Sequence, residues 1–222
     1  HLSGSSHRLL AFHQRMSGRL EYLPRQKHSN ILENVGMFGE RRWVHFLFRF
    51  SDGSALFFRD PRKFGIVWYG SPEDFQKDKY IKTLGIDLQK LTFEEFREKI
   101  KAGDQLLKAW LLRQDIIAGI GNIIADESLW GARINPKRKM SSLSKKEIRV
   151  LFGALKKTIA EILKAGGTSM RNWDHPDGKR GRYQESYKVY DRAGEKCFRC
   201  ARALKRIVTA GRGTTFCPSC QR

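Results

Sequence analysis

Apolar residues alternate with polar ones early in the chain and fall at helical spacing later, so the pattern divides it into a strand-rich front and a helical middle. Arg8-Leu9-Leu10-Ala11-Phe12 is a short apolar run between polar turns and predicts a strand leading into His13 to Leu20. Residues 24–41, with Pro24, Gly36 and Gly39 among scattered charges, read as a mobile loop. Arg42 to Phe50 alternates at period two, which puts Val44, Phe46, Phe48 and Phe50 on one face of a strand. Ser51-Asp52-Gly53 offers the Asp-Gly pair that tolerates positive φ, so a hairpin returns through Ala55 to Phe58. Arg59 to Gly65 is an Asp-Pro turn with two cations and one aromatic, and Ile66 to Tyr69 is a further strand. That turn suits phosphate contact plus a wedge into a base stack, or equally an ordinary charged loop with Phe64 tucked inward. Met16, beside a Ser-Gly turn, reads as core filling. Gly70 to Asp87 reads as a charged linker.

The period lengthens at Leu91. Thr92 and Glu95 form a capping box that opens a helix with Phe93, Phe96 and Ile100 inward, stopped at Ala102-Gly103. Leu106, Leu107, Trp110 and Leu111 mark a second helix, and Ile123 to Trp130 a third, joined by the glycine-rich turn Asp115 to Asn122. Gly119 and Gly121 let that turn bend tightly, and the free N–H groups at the helix start near Asn122 can meet a phosphate. Ser144 and Glu147 form another capping box. After it Ile148, Leu151, Phe152, Leu155, Ile159 and Ile162 recur at helical spacing up to Gly166-Gly167. Thr168 to Gly181, flanked by basic residues, is either a loop ordered on binding or a solvated one; Gln184 to Tyr190 looks extended.

Charge and cysteines narrow the function. Lys plus Arg number 43 against 23 Asp plus Glu, a net charge of +20 that calls for a polyanionic partner. No apolar run approaches the ~20 residues that span a bilayer, and no signal peptide is evident, so a membrane surface ranks behind nucleic acid. The four cysteines read Cys197-x-x-Cys200 and Cys217-x-x-Cys220 around a ribbon-like spacer with Ile207-Val208-Thr209 before a Gly211-Arg212-Gly213 turn. Paired clips at this spacing predict one structural zinc ion; two disulfides are the alternative.

Several stretches together resemble the formamidopyrimidine-DNA glycosylase (Fpg/Nei) family. They are RMSGRL at 15–20, DPRKFG at 60–65, AGIGNIIADESL at 118–129, GGT at 166–168, VYDRAGEKCFRC at 189–200 and GRGTTFCPSCQ at 211–221. The resemblance implies an α+β multidomain chain. A partial N-terminal β-sandwich would span 1–87. A helix–two-turn–helix domain would span 88–185, with a lesion-capping loop at 168–184, and a zinc ribbon 186–222. It implies that Met16, Arg62 and Phe64 fill the hole left by a flipped nucleotide. Lys63, Lys108, Asn122 and Arg212 would contact DNA, with Arg212 assisting the second elimination step. Glu127, Thr168, Ser169, Arg171 and Tyr183 would surround the lesion. The implied activity is excision of oxidised purines such as 8-oxoguanine, followed by β,δ-elimination at the abasic site. The implied partner is double-stranded DNA carrying oxidised bases or abasic sites, bound by a monomer in the cytoplasm of a bacterium.

Three departures qualify the resemblance. The family's N-terminal proline nucleophile, its glutamate and an assisting lysine are not among these residues, so the chain is expected to be a fragment that does not cut DNA by itself. Arg42-Trp43-Val44-His45 stands where the family has Lys-His-x-His, so Trp43 occupies the place of a DNA-contacting histidine, with His45 nearby. Arg113 replaces a common aspartate. Two other functions compete. A non-catalytic zinc-ribbon protein would bind damaged or abasic DNA without cutting, and a generic basic RNA module would leave Met16, Arg62 and Phe64 unexplained.

Overall fold

The computed structural model describes residues 8–25, 43–101, 103–169 and 180–222. Residues 26–41 of the expected loop, Arg42, and positions 170–179 with Arg171 lie outside them. The chain forms two compact units, His1–Ile81 with Gly167–Arg182, and Lys82–Gly166 with Tyr183–Arg222.

Among the described residues the first unit has five strands. β1 (Leu9–His13) pairs antiparallel with β5 (Ile66–Gly70). β4 (Ala55–Arg59) lies between β2 (Arg19–Leu23) and β3 (Val44–Arg49), antiparallel to both. The two sheets meet across aromatic rings: Phe12 packs edge-on to Phe48 at 5.7 Å and against Phe58 at 5.9 Å. The expected common face of Val44, Phe46, Phe48 and Phe50 is corrected by a register shift between Val44 and Phe46. A bulge inserts one residue and reverses side-chain parity. Val44 therefore joins Leu47 against Leu23, Ala55 and Phe57, while Phe46 and Phe48 stack together on the opposite side. Gly53 turns the β3–β4 hairpin at φ 85°, with the Asp52 carboxylate accepting the Ser54 N–H at 2.8 Å.

The expected linker after Gly70 is instead two short helices, α1 (Pro72–Lys77) and α2 (Lys79–Thr83), and a strand, β6 (Ile86–Asp87). Ser71 caps α1, and Asp78 receives the N–H groups that open α2. A run with many charges and little apolar period still folds where short side chains cap it.

The second unit is helical around one core. α3 (Phe93–Lys101) and α6 (Lys145–Lys164) start from their predicted capping boxes, and both reciprocal hydrogen bonds are present in each. α4 (Leu107–Leu111) and α5 (Asn122–Gly131) flank a short strand, β7 (Ile117–Ala118), which pairs in parallel with β6. Phe96, Ile100, Leu107, Leu111, Ile120, Leu129, Leu151 and Leu155 are buried together. Each such side chain contributes about 1.5–3 kcal/mol by leaving water. β8 (Lys205–Thr209) and β9 (Arg212–Phe216) form the C-terminal ribbon. Its turn lies at Ala210 and Gly211, with φ of 53° and 67°, so Arg212 and Gly213 belong to β9 and not to the turn as expected. A two-residue hairpin needs positive φ at both central positions, and this pair supplies it. Tyr183–Ser186 is a 3-10 turn where an extended segment was expected. Among the described residues no helix is long and apolar enough to cross a membrane.

Candidate nucleic-acid interface

In the first unit two turns are fastened together by one carboxylate. Asp60 follows β4 and is buried at 1 % exposure. It accepts the Ser17 hydroxyl at 2.5 Å, the Gly65 N–H at 2.6 Å and the Arg62 N–H at 3.2 Å. Burial pushes this carboxyl up, and the hydrogen bonds from Ser17, Gly65, Arg62 and Phe64 outweigh burial and hold it below the usual aspartate range. The turn after β1 and the turn after β4 are thereby locked to each other. On their outer side stand three exposed side chains. Met16 and Phe64 are 63 % and 53 % exposed, the Arg62 guanidinium lies 4.9 Å from the Phe64 ring centroid, and Arg62 Nη1 is 3.8 Å from Met16 Sδ. Exposing a methionine and a phenylalanine side by side opposes the hydrophobic effect, so the fold presents them for contact. Gly18 and Gly65 allow the close approach: a Cβ at Gly65 would lie 2.4 Å from the Phe58 ring, and one at Gly18 2.9 Å from it. Trp43 O accepts the Asp60 N–H at 3.0 Å, and His45 Nε2 donates to the Asp60 carbonyl at 2.9 Å. The start of β3 therefore buttresses the same turn.

In the second unit the start of α5 and the ribbon are joined by buried polar contacts. Gly119 takes φ 94° and Gly121 is extended, so one of the two glycines needs the left-handed region. The Gln114 side chain braces this turn, accepting the Gly119 N–H at 3.0 Å and donating to the Ile120 carbonyl at 2.8 Å. Asn122 Nδ2 donates to the Gly213 carbonyl at 2.9 Å. Lys108, with no exposure, places its ammonium 2.5 Å from Asp126 Oδ1 and 2.6 Å from Thr214 Oγ1. Asp126 also accepts the Thr215 N–H at 3.1 Å. Desolvation lowers the Lys108 ammonium below its ordinary range and pushes Asp126 up to about 6, each offset in part by the other's charge. Arg212, the exposed first residue of β9, is held next to this anchor, and its charge further lowers Lys108.

The four cysteines are free and gather at the ribbon's base. The four sulfurs lie within 4.8 Å of one another, with Cys200 and Cys217 at 3.5 Å. A tetrahedral ion with Zn–S bonds of about 2.3 Å sets sulfurs about 3.8 Å apart, so Cys197, Cys200, Cys217 and Cys220 fit one structural zinc ion. Burial, then the neighbouring thiols, pushes Cys220 up to about 12, a crowding that a divalent cation relieves.

Comparison with known proteins matches residues 1–67 to the formamidopyrimidine-DNA glycosylase N-terminal domain. Residues 84–174 match the H2TH domain of that enzyme, and 194–222 the zinc finger found in FPG and IleRS. The formamidopyrimidine-DNA glycosylase of Pelotomaculum thermopropionicum is 37 % identical over 215 residues, covering 96 % of this chain and 74 % of that relative. The chain belongs to the formamidopyrimidine-DNA glycosylase family. A Listeria innocua relative is 38 % identical over 181 residues, covering 81 % of this chain and 66 % of its own length. Among solved structures, Lactococcus lactis Fpg in complex with DNA containing an abasic site aligns with TM-score 0.83 and 30 % identity, covering 97 % of this chain and 75 % of that one. Fpg from Thermus thermophilus aligns with TM-score 0.81 and 33 % identity, covering 96 % and 76 %.

Within this glycosylase framework the expected residues fall into three groups. Met16, Arg62, Lys63 and Phe64 are brought together and exposed, which corrects the reading of Met16 as core filling. Asn122 and Arg212 meet around the Gly213 segment. Thr168 bridges to Arg182, and Ser169 Oγ accepts the Gly181 N–H at 2.9 Å, which closes the base of the 168–184 segment. Two of the expected residues are buried in this structure. Lys108 places its ammonium against Asp126 and Thr214 and so anchors the ribbon. Glu127, 3 % exposed, accepts the N–H groups of Lys188, Val189 and Tyr190 at 2.8–2.9 Å and clasps that segment. Tyr183 is buried beside it; burial, then the Glu127 charge, raises its hydroxyl above the usual range. The sequence reading missed Asp60, Ser17 and Gln114 as positioning residues. The signal for Asp60 was the Asp-Pro turn itself, since a short acceptor ahead of a tight turn collects its N–H groups.

Proposed function

We propose that the protein is a DNA-repair glycosylase that excises oxidised purines such as 8-oxoguanine and formamidopyrimidines from duplex DNA, and that it also carries AP lyase activity. The observation that carries this reading is the exposed Met16–Arg62–Phe64 cluster on two turns pinned by Asp60. An enzyme acting on a base must take it out of the stack, and an aromatic wedge with a cation beside it offsets the lost stacking and meets the orphaned partner. In this reading Phe64 wedges, Arg62 hydrogen-bonds the unpaired base and Met16 fills the vacated space. Arg212 and the N-terminal end of α5 hold phosphates near the lesion. Arg212 also assists the later elimination. Zinc, when bound, fixes the ribbon that carries Arg212.

The excision chemistry needs an amine that attacks C1′ and forms a Schiff base, which elimination then resolves with strand cleavage. In this reading the protein acts as a monomer in the cytoplasm. Borohydride trapping on an 8-oxoguanine duplex, with the gene product carrying its native N-terminus, tests the chemistry: absence of a covalent adduct sinks the lyase reading and favours a non-catalytic damage binder. Arg62→Ala tests the recognition. It should weaken binding to lesion duplex far more than to undamaged duplex, and equal losses on both would refute the flipping role.

A further inference from the structure

The helical unit carries another concentration of positive charge, apart from the residues given a DNA role above. Between α3 and the first turns of α6 lies a pocket of about 440 Å³ floored by Phe93 and Ile148. Its walls are Arg97 and Lys101 from α3, and Lys145, Lys146 and Arg149 from α6. Among the described residues no carboxylate lines it. Glu98 sits outside, 3.1 Å from Arg97 and 4.0 Å from Lys101, and Glu147 turns away to Arg138 and the Ser144 cap. Among the described residues Lys145, Lys146 and Arg149 form no ion pair. Arg149 is held in place by the Phe93 ring, 4.2 Å from its centroid. The positive end of the α6 dipole lies at the same place.

This pocket is separate from the Asn122–Arg212 group. α6 runs along α5 with Ala154 against Gly131, at the C-terminal end of α5, and Thr158 and Glu161 nearer Glu127. The start of α6 therefore lies beyond Gly131, at least the length of α5, about 15 Å, from Asn122. The chemistry of the pocket selects its occupant. Arg97 with Lys101, and Lys145 with Arg149, are spaced i,i+4, so each helix presents cations about 6 Å apart. A DNA strand carries a phosphate every ~3.4 Å of axis, so each pair spans about two phosphates. Five cations around one pocket match the closely spaced charges of a phosphate backbone, which such contacts alone can hold.

We propose that this pocket is a second backbone site. It holds the phosphates of a duplex segment other than the one read by Met16, Arg62 and Phe64, and lets the protein pass directly from one DNA segment to another. The inference rests on the DNA reading above. The test is the triple variant K145Q/K146Q/R149Q of the full chain, which keeps Ser144 and Glu147 and so the α6 cap. A labelled 8-oxoguanine duplex is bound, then chased with rising concentrations of unlabelled undamaged duplex. The parent chain should release the label faster as competitor rises. The variant should release it at a rate independent of competitor, with lesion-duplex affinity retained and the salt slope of undamaged-duplex binding smaller by about two to three. R97Q/K101Q, on the other wall, should act the same way, which guards against a folding defect from losing the Arg149–Phe93 contact. K157Q/K164Q, farther along α6, should leave exchange intact. Competitor-driven release that survives in both pocket variants overturns the inference. So does its loss in K157Q/K164Q, which would make net charge the cause, or poly-glutamate driving release as well as duplex does. Lost lesion preference with exchange intact would sink the glycosylase reading and leave the second site standing.

Discussion

Lys108→Met separates two uses of the same cation. In the structure the ammonium is fully buried, 2.5 Å from Asp126 and 2.6 Å from Thr214, and serves to hold β9 against α4 and α5. Methionine keeps most of the side chain's volume and removes the charge. Asp126, 2 % exposed, is then left with the Thr215 N–H alone. Breaking a buried pair by removing one partner costs about 3–5 kcal/mol, because the remaining charge is uncompensated. The pH dependence has a definite sign. Asp126 has a folded pKa of about 6, above its ordinary 3.8, so it favours the folded state most below 3.8 and loses that contribution as pH rises through 6. Without Lys108 its pKa climbs further, so the cost of the substitution is largest near pH 8 and shrinks toward pH 5. The double variant Lys108→Met/Asp126→Leu removes both charges. It should recover most of the loss, a coupling well outside simple additivity. Urea denaturation at the two pH values measures all of this, and DNA binding measured against salt completes the test. A buried anchor predicts lost stability with an unchanged salt slope among the molecules that remain folded. A phosphate contact predicts unchanged stability and a slope smaller by about 0.9. The second pattern would refute the assignment of Lys108 to the ribbon anchor.

Three further outcomes are expected. Gly65→Ala puts a Cβ 2.4 Å from the buried Phe58 ring, so it should destabilise the first unit by about 1–3 kcal/mol and displace the Phe64 turn; an unchanged melting temperature counts against that packing. Glu147 is held down at about 2 from 4.5, first by Arg138 and then, against some desolvation, by the Ser144 cap. Its stabilisation is full above pH 4.5 and lost as pH falls through about 2; with a third of the side chain exposed it amounts to about 1–2 kcal/mol, and Glu147→Gln should flatten acid unfolding by that amount. Chelation should release one zinc per chain and abolish DNA binding as the ribbon loses its shape, and a metal-free protein that binds normally would contradict the zinc assignment.

What the sequence revealed, and what it hid, follows from how far each contact reaches along the chain. Both capping boxes, the Asp52-Gly53 hairpin and the two CxxC clips were legible because each is completed by residues two or three apart, so spacing alone carries the physics. The sheet parity of β3 was misread for the opposite reason. A bulge leaves no mark in composition, and it moved Val44 to the face opposite Phe46. The same limit governs the candidate interface. Phe64 and Arg62 announce themselves as a cation beside an aromatic in one turn, but Met16 looked like core until Ser17 and Asp60, 43 positions apart, were seen to tie the two turns together. Lys108 and Glu127 show the same limit. Each stands in or beside a stretch rich in DNA-contacting residue types, and each is bound inside the protein by partners 18 to 106 positions downstream. A charge in such a stretch faces solvent only if no distant donor or acceptor claims it. In this protein the residues that display chemistry are held in place by neighbours of the same polar kinds, which spend theirs internally.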